Sequence, residues 1–178
     1  FNYGLEYQAA YRSRNNGVCV CQNITDEAGN TLFPWKLHTM KNGLRVGIVG
    51  IVTDYVNIWE KEENLKGIHI TDPFEAAKNA LAQMKEQTDL TICIYHGGFE
   101  CDLESGETLS QTTENVGYRM CKELDFDILL TGHQHMSVPG RDISGTYTVQ
   151  PCDNAKEYQY LEVTMTDHEK SIRSELRQ

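Results

Sequence analysis

Apolar residues in this chain recur with two different periods, and the switches between them predict its elements. The runs at 44–53, 90–95 and 127–131 are continuously apolar and rich in Val and Ile, the pattern of strands buried on both faces. Phe74, Ala77, Leu81 and Met84 instead repeat at helical spacing and predict a helix over 73–87 with one stripe against a sheet. Its start is written out as Asp72-Pro73-Phe74-Glu75: an aspartate N-cap, a proline at the first helical position and a glutamate at the third.

The rest of the chain follows by the same signals. Leu5, Ala9 and Arg12 predict a helix over 5–14, ended by the turn Asn15-Asn16-Gly17. A short strand is expected at 18–22, a polar loop at 23–30 and a strand at 32–40. Asn42-Gly43 then predicts a type I′ hairpin, because both residues tolerate positive φ. A helix over 114–123 and strands at 146–150 and 157–166 complete the pattern, with an acidic, mobile loop at 102–111 on the rim of the site. Buried strands alternating with amphipathic helices, plus one antiparallel hairpin, predict an α/β fold with a mixed sheet in a single domain over 1–178.

The chemistry sits where two of these strands end. The run at 127–131 leads into Gly132-His133-Gln134-His135, and the run at 89–95 leads into His96-Gly97-Gly98. Residues two apart in an extended or turning segment can aim at one place, and neutral imidazole is the commonest metal ligand. Gly132 carries no Cβ, so backbone and metal can approach closely there. The ring nitrogens of His96, His133 and His135 are expected to converge even without metal, because the strand ends place them.

These endings resemble the last two metal-binding motifs of the calcineurin-like metallophosphoesterases, H-G-G and G-H-x-H. Phe1-Asn2-Tyr3-Gly4-Leu5-Glu6-Tyr7 is similar to the stretch that follows the family's G-N-H-E motif. The segment Lys41-Asn42-Gly43-Leu44-Arg45-Val46-Gly47-Ile48-Val49-Gly50-Ile51-Val52-Thr53 is similar to its hairpin and central strand, and Thr113-Glu114-Asn115-Val116-Gly117-Tyr118 to its E-N-x-x-Y segment. Four such motifs in order resemble the branch of 5′-nucleotidases and 2′,3′-cyclic-nucleotide 2′-phosphodiesterases.

The resemblance implies an α/β/β/α sandwich with mixed sheets, lacking its first strands, and a partial domain. The family's D-x-H, second aspartate and G-N-H-E would precede this chain, and its C-terminal nucleotide-binding domain would follow it. It implies a parent enzyme using two divalent metals, Zn, Mn or Fe, to activate water and neutralise the phosphoryl oxygens. His96 and His133 would bind one ion and His135 the other, with Glu114 and Asn115 as orienting groups behind them. No catalytic residue is expected within the chain, since the histidine that protonates the leaving group would lie upstream. The fragment itself would be metal-poor and inactive, and sheet exposed by the missing strands would favour self-association. The substrate implied is a nucleotide or cyclic nucleotide. The resemblance points to an exported setting, periplasmic or cell-wall, and the sequence leaves the compartment open. Pro151-Cys152-Asp153-Asn154 departs from the family's P-G-aromatic-glycine, which touches the expected nucleotide preference. The competing reading is a catalytically silent binding or assembly module that keeps the fold.

Composition narrows the partners. A net charge of −10 argues against a nucleic-acid polymer, and no stretch approaches the roughly 18 apolar residues of a membrane span. Six cysteines are scattered through a domain large enough to fold without staples, which suits structural thiols. A Cys93 nucleophile paired with His96 is disfavoured by its place in a buried strand. His38, His69 and His168 stand apart from other ligand types, as structural or solvated residues. Trp35, Tyr55 and Trp59 are residues of a kind that can stack a base, and core packing is the expectation for them.

Overall fold

A computed structural model of the protein describes residues 4–15, 17–166 and 169–178. The first half runs α1 (Gly4–Arg14), β1 (Cys21–Asp26), β2 (Thr31–Phe33), β3 (Lys36–Thr39), β4 (Arg45–Val52), α2 (Val56–Trp59), β5 (Ile68–Ile70) and α3 (Pro73–Met84). The second runs β6 (Leu90–His96), α4 (Gly117–Glu123), β7 (Ile128–Thr131), β8 (Val138–Ile143), β9 (Thr146–Gln150), β10 (Tyr158–Met165) and β11 (Lys170–Arg177). Phe1, Asn2 and Tyr3 of the first family-like segment, Asn16 of the predicted turn, and His168 lie outside the described residues.

Six strands form the central sheet in the order β3-β4-β6-β7-β9-β8. The four inner strands are parallel and both edges antiparallel, so the architecture is mixed α/β. Successive side chains in a strand face opposite ways, and here both faces are covered. Val49, Ile51, Cys93, Tyr95 and Leu129 meet Phe74, Ala77, Leu81 and Met84 of α3 and Met120 and Cys121 of α4. Residues of the other parity, Val46, Ile48, Leu90, Ile92, Ile128 and Leu130, meet Leu161, Val163, Met165 and Ile172 of the β10–β11 hairpin. This two-sided burial is why the strands read as continuous runs. The cover stops short of Ile94, which is 44% exposed in the middle of the sheet. A second sheet, β2-β1-β5, closes its own core of Ile24, Phe33, Ile68 and Ile70 against Val52.

The start of α3 is the predicted one, with the Asp72 carboxylate accepting from the Glu75 amide at 2.8 Å. Other boundaries differ, each for a local reason. The first strand begins at Cys21, not Val18, and runs on through the segment read as loop. Asn23 can be buried there because its side chain accepts from Val52 N and donates to the carbonyls of Val52 and Thr71, at 2.7–3.0 Å. The expected strand over 32–40 is two strands in two sheets, broken at Pro34, which has no N–H to give a ladder. At the hairpin Gly43 alone takes positive φ, +90°, and its amide closes a turn onto Met40 O at 2.9 Å, so the predicted type I′ turn is not formed. The helix expected from Glu114 starts at Gly117, which frees Glu114 and Asn115 for other work. Strands β8 and β11 were not foreseen.

Candidate metal centre

Strands β6 and β7 are parallel neighbours in register, Tyr95 beside Thr131, so they run out at the same edge. That brings the His96-Gly97-Gly98 segment against the Gly132–His135 turn. Backbone and side-chain bonds then lock the two together: Gly132 N donates to Gly97 O at 3.2 Å. The Gln134 amide grips Phe99 from both sides, accepting from its N–H at 2.8 Å and donating to its C=O at 2.9 Å. From the third side, buried Asn115 accepts from Gly98 N at 2.7 Å. A Cβ on Gly98 would run into the Gln134 amide, whereas one on Gly132 would meet nothing within 4 Å. The close approach at Gly98 is to the Gln134 side chain. Within the turn His133 (φ +73°) and His135 (φ +56°) both hold left-handed backbone, uncommon for side chains other than glycine and concentrated at functional sites.

The imidazoles of His96 and His133 face each other with centroids 5.3 Å apart and planes at 58°. His133 Nε2 is 3.0 Å from Glu114 Oε1, which leaves Nδ1 as its remaining nitrogen. Glu114 is itself held by backbone, its carbonyl accepting from Thr53 Oγ1 at 2.7 Å and from Tyr95 OH at 3.2 Å. Thr53, fully buried at the end of β4, also donates its N–H to His96 O at 3.0 Å. Although part of the His96 ring meets solvent, the crowding around it strips water and holds its imidazole below the ordinary range, and His133 and His135 push the same way. A neutral ring offers its lone pair at neutral pH. His96 and His135 are the exposed members of the three, and His133 is half-buried.

The donor chemistry fits a divalent transition metal: imidazoles, one with a carboxylate behind it. The donor count does not close a site, for among the described residues no group of three or more His, Cys, Asp or Glu is arranged to hold a metal ion. Two neighbours of the centre correct the expectations above. Trp59 is 51% exposed rather than in the core; its indole stacks on His133 at 5.0 Å and 25°, with Tyr55 edge-on to it at 5.8 Å. A one-turn helix at the end of β4 puts it there, and the signal available in the sequence was an aromatic pair four apart just after a strand. Trp35 does lie against the main core. Gln134 and Thr53 were also missed; each acts by holding backbone, which carries no motif. His38 and His69 are exposed on β3 and β5. All six cysteines are free thiols, and Cys93 is fully buried, with its thiol pushed far above the usual range by desolvation, so it offers no thiolate.

No family model matches the chain. A 2′,3′-cyclic-nucleotide 2′-phosphodiesterase/3′-nucleotidase from Yersinia enterocolitica is 28% identical over 167 residues, covering 88% of this chain and 24% of that protein. A Staphylococcus aureus protein provisionally named a 5′-nucleotidase superposes with a TM-score of 0.90 at 31% identity, over 99% of this chain and 35% of the other. The chain is a relative of the calcineurin-like metallophosphoesterases. The calcineurin-like phosphoesterase YfkN from Bacillus subtilis has the same fold, with a TM-score of 0.81 at 21% identity over 99% of this chain and 60% of its own. This metallophosphoesterase relative spans about a quarter of the length of the first curated proteins it matches, 24% and 23%. No described helix is long and apolar enough to cross a membrane.

Proposed function

We propose that this chain carries one side of the metal centre of a phosphoesterase that hydrolyses nucleotide phosphate esters, 5′-nucleotides or 2′,3′-cyclic nucleotides. His96 and His133 hold one divalent ion, Zn, Mn or Fe, and His135 contributes to a second. The observation that carries this reading is the His96–His133 pair at 5.3 Å with the Glu114 carboxylate 3.0 Å behind His133. The remaining donors, and the acid that protonates the leaving group, come from polypeptide outside this chain, for which the much longer relatives leave room. When bound, the metals supply Lewis-acid stabilisation of the phosphoryl oxygens and an activated water.

What the chain's own residues do follows from their bonds. Glu114 accepts the Nε2 proton of His133, fixing the tautomer that presents Nδ1 and raising its basicity. Asn115 and Gln134 hold the His-Gly-Gly loop against the turn, so the rings are in place before any ion arrives. A chain of net charge −10 gives a phosphate little welcome by itself, which makes the cationic centre the natural receptor for an anionic ester.

The test is made in the longer parent protein, comparing His133→Ala with His38→Ala for kcat on a 2′,3′-cyclic nucleotide and for metal content. His133→Ala is expected to lose at least about 100-fold in kcat together with metal, and His38→Ala to change neither. Retention of both by His133→Ala overturns the reading.

A further inference from the structure

We propose that Trp59 is a positioning residue for His133, an inference that rests on the reading that His133 holds a metal. A hydrogen bond from Nε2 to Glu114 fixes one corner of the imidazole and leaves the ring plane free to rock about that contact. The second constraint has to act on the flat face. Trp59 provides it, with its indole nearly parallel to the imidazole at 25° and 5.0 Å away. Together the two contacts fix the orientation of a ring whose centroid lies 5.3 Å from that of His96.

The platform is itself braced. Tyr55 meets the indole edge-on at 5.8 Å, the Trp59 amide bonds to Tyr55 O at 3.1 Å, and Asn57 Nδ2 ties the turn to Ile70 O at 2.9 Å. Val56 roots it in the second core. A tryptophan that leaves 51% of its surface in water contributes little to a core, so its stack on His133 is its principal contact with the site. A bound cation would share its charge with the imidazole, and the electron-rich indole face would then attract the ring more strongly.

The experiment uses the longer parent protein, with zinc chloride as the probe and the imidazole signals of His133 followed by NMR. The native protein, Trp59→Ala, Trp59→Phe and His133→Ala are compared, with the thermal midpoint as a control for folding. Trp59→Ala is expected to weaken zinc binding about tenfold and to loosen the His133 ring at an unchanged midpoint. Trp59→Phe, which restores a flat face, should recover most of the loss. If Trp59→Ala unfolds, Trp59→Leu, apolar but not flat, takes its place. Zinc bound as tightly by the Ala or Leu variant as by the native protein overturns the positioning role alone. Absence of zinc binding in the native parent protein, or binding undiminished by His133→Ala, overturns the metal reading and this inference with it.

Discussion

Replacing Gln134 with alanine removes the clamp between the two histidine segments. Its amide makes two bonds to the backbone of Phe99, at 2.8 and 2.9 Å, and Phe99 is only 4% exposed. Each bond contributes about 0.5–1.5 kcal/mol net, and each buried backbone group left without a partner costs about 1–3 kcal/mol. The loss should therefore come to roughly 2–4 kcal/mol, with water entering the gap favouring the lower end. In a domain of this size each kcal/mol moves the midpoint by about 2–4 °C, so thermal unfolding followed by circular dichroism should show a drop of roughly 5–15 °C. Gln134→Glu keeps the acceptor for Phe99 N–H but sets a charge against Phe99 C=O, and should fare no better. Hydrogen exchange at the Phe99 amide should quicken in both. A midpoint within about 1 °C of the native chain, with Phe99 exchange unchanged, would refute the clamp.

Two further outcomes follow from other hydrogen bonds of the fold. Glu114→Gln keeps the shape but removes the carboxylate behind His133, and calorimetric zinc titration should show affinity falling about 10- to 100-fold with little change in unfolding midpoint, the side chain being 31% exposed. Asp89 is pulled down to about 2 by its hydrogen bonds from Arg45; since its folded value lies below that of an unfolded aspartate, about 3.9, its stabilisation is complete above roughly pH 4 and fades as pH falls toward 2. Denaturant titrations should accordingly show Asp89→Asn flattening the acid limb of the stability profile, and an unchanged limb would count against the pairing.

What the sequence made legible was periodicity and strand endings. The α3 stripe is buried as its spacing implies, and β6 and β7 end side by side, so the two histidine segments meet. Features fixed by tertiary satisfaction were not legible. Asn23 looks like a loop residue until Val52 and Thr71 supply its partners. Glu114 and Asn115 look like a helix start until Thr53, Tyr95 and Gly98 claim them. The break at Pro34 was written in the chain, but the apolar residues on either side of it masked the change of sheet. Trp59 sits on a single helical turn too short to show any period, and its place beside His133 depends on which strands are neighbours.

The most direct test is an anomalous difference map, recorded at the zinc edge, from crystals of the longer parent protein grown with zinc. A peak is expected about 2.0–2.1 Å from a ring nitrogen of His96 and from Nδ1 of His133. A peak only at the exposed His38 or His69, with the His96–His133 pair empty, would contradict the metal reading.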